Sequence, residues 1–420
     1  MNFLEQLAAR RRFGMKPGLS TIRAVCRAIG DPQDCVKAVH IAGTNGKGAV
    51  AAMIDSSLRA GGLKVGRYTS PHLVNLTERF FLNGVPVDDL RLEEISLQVE
   101  KAVFSTGDAG EGATFFEALT AVAFSLYAES GVDAAVLETG LGGRLDATNI
   151  CNPALTIITR IGLDHCDWLG DTVEKIAVEK AGIIKSGVPV VLGENLPEVR
   201  EIIEKRAKEL AAPFYYAPDM ALELEIPAGY SLAGSFNREN ALTAIAALKV
   251  IQERALFDIP RKEDLLTGFS DVVWPGRFQK VGNVLVDGAH NPPAARALVN
   301  AIQELPEKKY ILVAGFCADK EVGETLSVLA PFISKAYAIK TNNPRSLAPD
   351  ELARKMRSAG MDAEAVSTLN EAFRLAKVDV SSVEDASIIV CGSLFLAGEA
   401  LVALNAYPWP SPRFDPSERL

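Results

Sequence analysis

The stretch HIAGTNGKGAV, residues 40–50, sets three glycines and one lysine between two apolar runs. A turn of this kind presents backbone N–H groups at the start of a helix, where a phosphate is favoured. The usual phosphate-binding loop has four residues between its first glycine and the Gly-Lys pair. Here only Thr44 and Asn45 separate Gly43 from Gly46-Lys47, with Gly48 next and Ala49 two places after the lysine. Ala49 has no hydroxyl to offer a magnesium ion, so a metal needs a ligand from elsewhere.

Candidates stand where other apolar runs end. In open parallel sheets, ligands bind beyond the carboxyl ends of the strands. Ser70 follows KVGRYT, Glu138 closes VDAAVLE, and His165 follows ALTIITRIGLD. Lys47, Ser70, Glu138 and His165 are therefore expected to share one crevice, as an ammonium, a hydroxyl, a carboxylate and an imidazole. The chain has four histidines. His72, His165 and His290 follow strand-like runs; His40 lies inside one and reads as a hydrogen-bonded structural residue. In DTVEKIAVEKAGIIK, residues 171–185, Lys180 shares a helical stripe with Val173, Ile176, Ala177 and Ile184. A lysine there must snorkel, pair with an anion or be chemically altered, and periodicity alone favours the first. In the second half, Asp287 and His290 stand in DGAHNPPAARAL, where Pro292-Pro293 suits a first helical turn. Arg277, in WPGRFQ, stands at a break in the pattern, in place to reach a phosphate.

The elements that position these residues are alternating short apolar runs and amphipathic helices. This is the pattern of a mainly parallel sheet with helices on its faces. One set of runs is VKAVHIAG, LKVGRYT, VDAAVLE, ALTIITRIG and VPVVLG; a second is NVLVDG, KYILVAG, KAYAIK and ASIIVCG. Between the sets, LLTGFSDVVWPGRFQ breaks the rhythm, which places a domain boundary near residue 273. A helix is expected from Gly48 to Ala60, stopped by Gly61-Gly62. The tail YPWPSPRFDPSERL is expected to be irregular.

Composition excludes several classes. The 420 residues carry 44 basic and 53 acidic side chains, a net charge of -9. That balance argues against a general nucleic-acid surface and leaves room for a local basic pocket. The six cysteines are scattered without a Cys-x-x-Cys pair, as reduced cytosolic thiols are. The N-terminal MNFLEQLAARRRFGM lacks the apolar core of a signal peptide. No run approaches the length of about 18 apolar residues of a membrane span. The expectation is a cytoplasmic protein.

HIAGTNGKGAV, YTSPHLVNLTERF, TFFEALT, LETGLGGRLDATN, GLDHCDWLG, EKAGIIK, WPGRFQ and DGAHNP occur in this order. Together they resemble the folylpolyglutamate synthase/dihydrofolate synthase branch of the Mur ligase superfamily, from FGMKPGLSTI to CGSLFLAGEA. The resemblance implies a P-loop-type, mainly parallel ATP-binding domain over residues 1–272 and a smaller Rossmann-like α/β domain over 273–420. It implies ATP-dependent amide ligation. The γ-phosphoryl group passes to a folate or dihydropteroate carboxylate, and the amine of L-glutamate attacks the acyl phosphate. Transfer of this kind needs charge held on the phosphoryl oxygens.

By the same resemblance, Gly43, Thr44, Asn45, Gly46, Lys47 and Gly48 cradle phosphate. Ser70, Glu138 and His165 hold a first magnesium ion, and Lys180, carbamylated, helps bind a second. Asn240, Arg277, Asp287 and His290 contact the nucleotide, and Thr114, Phe116 and Asp146 form the pterin side. The residues carrying the chemistry are then Lys47, His165, Lys180 and Arg277. The chain departs from the family pattern at three places: Ala49 for Ser/Thr, Phe236-Asn237 for His-Gln, and Gln279 for glutamate. DHCDWLG is similar to chains that also make dihydrofolate, which implies both activities, and the family implies a monomer. One competing reading is a cell-wall Mur ligase, disfavoured because only 42 residues precede Gly43. The other is a non-catalytic nucleotide-binding regulator, for which Ala49 is the support.

Overall fold

The computed structural model describes residues 18–107, 112–220, 225–227, 230, 232–318, 322–383 and 385–410. MNFLEQLAARRRFGM and the tail beyond residue 410 lie outside the described residues; residues 406–410 are irregular. Two compact units form. The described residues of Met1–Pro71, Leu76–Ser231 and Glu239–Val273 make the first; those of His72–Asn75, Leu232–Arg238 and Trp274–Leu420 make the second.

The first unit is built on an eight-stranded sheet. Its strands are β1 (Ala38–Ala42), β2 (Val65–Tyr68), β3 (Phe80–Leu82), β4 (Val85–Pro86), β5 (Ala134–Glu138), β6 (Pro153–Ile158), β7 (Val190–Leu192) and β8 (Phe214–Tyr216). Their order is β4-β3-β2-β5-β1-β6-β7-β8. From β2 to β8 every pairing is parallel; β3 and β4 add an antiparallel edge. All residues of β1 and β5 are buried, as expected of parallel strands covered on both faces. The edge strands β3, β4 and β8 were not among the expected runs. They are two or three residues long, too short to show a period. β3 and β4 turn at Asn83-Gly84, both at positive φ, a combination that favours a tight hairpin.

Helix α1 (Lys47–Ala60) follows β1, and the chain turns at Gly61-Gly62 as expected. Asp55 on α1 is buried and faces Arg67 on β2 at 3.4 Å and Arg59 at 3.3 Å. The Arg67 guanidinium also lies 3.8 Å from the Phe81 ring centroid. These contacts tie α1 to β2, and so fix Lys47 relative to Ser70. Helix α2 (Phe115–Ser130) packs Leu119, Val122 and Phe124 into a core with Ile22, Tyr68 and Phe80. Helix α3 (Val173–Ala181) buries Ile176, Ala177 and Ala181 against Ile158 and Leu192. Helix α4 (Ser235–Glu253) carries Asn240.

The second unit has a six-stranded sheet, ordered β13-β12-β11-β14-β10-β9. The strands are β9 (Gln279–Val281), β10 (Val284–Val286), β11 (Lys309–Ala314), β12 (Ile333–Ala338), β13 (Ala363–Ala365) and β14 (Ala386–Cys391). Only the β9–β10 hairpin is antiparallel. Two apolar clusters cover the sheet, one around Leu312, Leu326 and Met356, the other around Val313, Tyr337 and Leu396. Helix α5 (Pro292–Gln303) starts on the Pro-Pro pair, and the Asn291 side chain accepts from Ala294 N at 2.9 Å. No described helix is long and apolar enough to cross a membrane.

Candidate active site

The glycine loop leaves β1 and is stitched to the segment after β6. Thr44 and Asn45 donate their backbone N–H groups to Arg160 O at 2.9 and 3.2 Å. Thr159 Oγ1 donates to Asn45 O at 2.7 Å, and Thr44 Oγ1 to Gly162 O at 3.0 Å. Gly43 has φ +155°, and a Cβ there would fall 1.8 Å from Thr159 Oγ1. Gly46 caps α1 at φ +86°, and a Cβ there would fall 2.1 Å from Asn240 Oδ1. Both glycines hold positive φ, and Gly43 is required by space as well, since a Cβ there would also crowd the Thr159 backbone. The shortened loop spends the Thr44 and Asn45 amides on Arg160. The amides that open α1, those of Lys47, Gly48 and Ala49, have no carbonyl one turn back to accept them. They point where an anion is favoured. Ala49 itself is buried, its methyl group in the core.

Three strand ends meet at this loop. Lys47 Nζ donates to Thr44 O at 3.3 Å and lies 3.9 Å from Glu138 Oε1. Glu138, the last residue of β5, is buried, and its Oε2 accepts from the Ser70 backbone N–H at 3.1 Å. Lys47, Ser70 and Glu138, three of the four residues expected in one crevice, therefore meet at the strand ends. His165 sits at φ +54° as the cap of a short helix, Cys166–Leu169, with its side chain 47% exposed. Its ring Nε2 is 3.9 Å from Asp164 Oδ1, which also accepts from His165 N. Asp164 was not singled out from the sequence, though its place beside His165 is the signal that marks it.

Lys180 does not snorkel. It is 3% exposed, and Nζ donates to Gly43 O at 2.7 Å. Burial, with repulsion from Lys47, pushes its pKa down to about 7, against the pull of Asp164 and Asp146. Ile184 lies beyond the end of α3, in the turn that follows.

Among the described residues, no group of three His, Cys, Asp or Glu side chains is placed to hold a metal alone. A buried carboxylate, a serine and open helix amides around a cradle that a Cβ would fill fit a nucleotide phosphate with its metal.

Of the three residues that the resemblance assigns to the pterin side, Phe116 and Asp146 meet at one turn. Thr114 caps α2 in a reciprocal capping box with Glu117. Phe116 packs on Gly140, where a Cβ would fall 2.5 Å from Phe116 Cζ, and its ring centroid is 5.9 Å from that of Tyr68. Asp146 is buried and accepts from Gly140 N, Leu141 N, Thr148 N and Thr148 Oγ1 at 2.5–3.0 Å. Burial pushes its pKa up, and these hydrogen bonds oppose the shift.

The second unit gathers Arg277, Asp287 and His290. Asp287 accepts from Phe278 N and Ala289 N, each at 2.8 Å. Burial pushes its pKa up, with Arg277 opposing. The Arg277 guanidinium lies 5.9 Å from the Trp274 ring centroid, and Nη1 donates to Gly276 O at 3.1 Å. His290 Nδ1 lies 2.8 Å from Gly288 O, which only accepts, so Nδ1 carries the proton. Gln279 Oε1 accepts from Gly276 N at 3.0 Å, a role an amide oxygen fills as a carboxylate would. Phe236 packs edge-on against Phe278, and Asn237 is buried, donating to Ala233 O at 2.7 Å.

Residues 41–248 match the Mur ligase middle domain, and residues 276–394 match the Mur ligase glutamate ligase domain. The chain is 36% identical over 367 residues to the dihydrofolate synthase/folylpolyglutamate synthase of Bacillus subtilis, covering 81% of this chain and 85% of that one. It is similar to the solved structure of the E. coli FolC in complex with DHPP and ADP, with a TM-score of 0.83, 29% identity, and 97% and 98% of the two chains covered. It is also similar to the Yersinia pestis bifunctional folylpolyglutamate synthase/dihydrofolate synthase complexed with AMPPNP and Mn, with a TM-score of 0.82, 31% identity, and 96% and 97% covered. With a glycine loop and a buried carboxylate at the strand ends, and a buried helical lysine against that loop, the chain belongs to the dihydrofolate synthase/folylpolyglutamate synthase family of ATP-dependent Mur-type ligases.

Proposed function

We propose that this ligase joins L-glutamate to the carboxylate of dihydropteroate or of a reduced folate, and acts on both. The observation that carries the reading is the meeting of Lys47, Ser70 and Glu138 at three strand ends beneath the open amides of α1. A carboxylate is a poor electrophile until one oxygen becomes a leaving group. Its oxygen attacks the γ-phosphorus of ATP, ADP leaves, and the amine of glutamate then displaces phosphate from the acyl carbon. Lys47 and the α1 amides hold the phosphate charge during transfer. Ser70, Glu138 and His165 would hold a magnesium ion, which neutralises phosphate charge when bound. Ser70 supplies the hydroxyl that Ala49 lacks.

Lys180 carries a carbamate in the working enzyme. Its amine, with a pKa near 7, is substantially neutral at physiological pH and so able to attack CO2. The new N–C bond forms as one proton leaves the nitrogen. The resulting anion would offer oxygen ligands to a second magnesium ion. Asn240, Arg277, Asp287 and His290 serve the nucleotide, Thr114, Phe116 and Asp146 the acceptor, and the enzyme works as a monomer.

The test is ADP release with ATP, magnesium, L-glutamate and either dihydropteroate or tetrahydrofolate. Release with both acceptors is expected. Equal release with and without any acceptor overturns the reading.

A further inference from the structure

β1 is buried along its whole length, yet its central residue is His40. The imidazole is fully enclosed, and burial holds its pKa down to about 3, so the ring is neutral. Nε2 lies 2.8 Å from Thr148 Oγ1. Thr148 Oγ1 in turn lies 2.5 Å from Asp146 Oδ1. Asp146 accepts three backbone N–H groups through its two oxygens, and the Thr148 hydroxyl donates to its Oδ1. The Thr148 hydroxyl proton therefore points at Asp146, and a lone pair of the same oxygen faces His40. Only the Nε2–H tautomer of His40 can donate to it. Nδ1 is then left without a hydrogen-bond partner among the described residues, a costly arrangement in a buried site. An apolar side chain would fill the same place without that cost.

We infer that His40, acting through Thr148, is a positioning residue for the acceptor side of the site. The chain of contacts runs His40 Nε2–H to Thr148 Oγ1, Thr148 Oγ1–H to Asp146, and Asp146 to the amides of Gly140 and Leu141. The turn so held lies two residues beyond Glu138 and forms the seat on which the Phe116 ring packs. The relay thus sets the wall that Phe116 and Asp146 present, while the glycine loop takes none of its hydrogen bonds. This inference rests on the reading of Phe116 and Asp146 as acceptor-side residues.

Four variants and one spectrum test it. His40→Gln places an amide donor near the position of Nε2 and is expected to keep the acceptor KM within about twofold of the parent. His40→Leu and Thr148→Val remove the relay and are expected to raise the acceptor KM about fivefold, the equivalent of about 1 kcal/mol. The ATP KM should stay unchanged in both. Because the groups act in series, the His40→Leu/Thr148→Val double variant should cost no more than Thr148→Val alone. A rise of ATP and acceptor KM together, an unchanged acceptor KM, or additive effects overturn the inference. The long-range 1H–15N spectrum of the intact protein decides the relay apart from any substrate. A proton on Nε2 with Nδ1 bare, from about pH 5 to about pH 8, supports it. A proton on Nδ1 overturns it, whichever acceptor the enzyme uses.

Discussion

Lys180 is the residue on which the proposed chemistry turns. A buried ammonium beside magnesium ions would be repelled and poorly solvated. A carbamate there would be anionic. Lys180→Ala should therefore nearly abolish ligation while leaving the circular dichroism spectrum unchanged. Lys180→Arg should fail as well, because guanidinium stays protonated and forms no such carbamate; near-normal turnover of that variant would show that charge alone suffices. The folded pKa of about 7 lies below the ordinary 10.5, so protonation opposes the working state. Carbamate, read by 13C NMR with labelled bicarbonate, should fall as pH drops through about 7 and recover above it. The same shift makes this group's contribution to stability rise as pH goes from about 7 to 10.5, where the unfolded chain holds a proton that the folded chain does not. At the neighbouring strand end, Ser70→Ala should cost at least tenfold in kcat and alter magnesium dependence, on the order of one lost metal ligand. Ala49→Ser should change both far less, since position 49 is buried. Equal effects would move the metal away from Ser70.

The glycine loop is specified by its fit against two neighbouring elements. Gly43→Ala drives a methyl group into Thr159, whose Cβ and backbone leave little room to retreat. It should lose ADP binding in calorimetry and destabilise by about 2 kcal/mol or more in urea melts. Gly46→Ala meets only the end of the Asn240 side chain. Combined with Asn240→Ala, it should recover part of its lost stability, leaving about 1 kcal/mol of left-handed strain. If the double variant is no better than Gly46→Ala, the clash with Asn240 is not what excludes a side chain there. α3 shows a different dependence: its stripe sends Lys180 to Gly43 O, so this helix also holds the loop.

Over the whole molecule, the two units are interleaved along the chain. Leu73, from the short segment His72–Asn75, packs on the apolar cluster of the second unit around Tyr337 and Leu396. A fragment ending at Val273 would leave Leu73 without that cluster. Such a fragment should bind a hydrophobic dye and melt below the full chain; a fragment as stable as the full chain would count against this packing. Ligand linkage gives a second measurement. ADP at about one hundred times its Kd should stabilise the full chain by about 2.7 kcal/mol, and Lys47→Ala should remove most of that gain.

The parallel α/β class, the sites of the long strands and the crevice of Lys47, Ser70 and Glu138 were legible in the sequence. Apolar runs covered on both faces are continuous, and their ends carry the polar residues. Gly61-Gly62 and Pro292-Pro293 likewise marked helix limits through local backbone preference alone. The short strands β3, β4, β8, β9 and β13 were not legible, because they are fixed by neighbours across the sheet and not by their own period. The surroundings of Lys180 were decided only in three dimensions. Periodicity put it on the apolar face and favoured snorkelling, whereas the loop after β1 supplies a carbonyl 137 residues away. The amides of Thr44 and Asn45 were claimed by Arg160 for the same reason. His40 read as a hydrogen-bonded structural residue, and the partner it meets, Thr148, lies 108 residues further on. Sequence determines which groups end each element. Which group meets which depends on the order of strands in the sheet, and spacing along the chain does not encode that order.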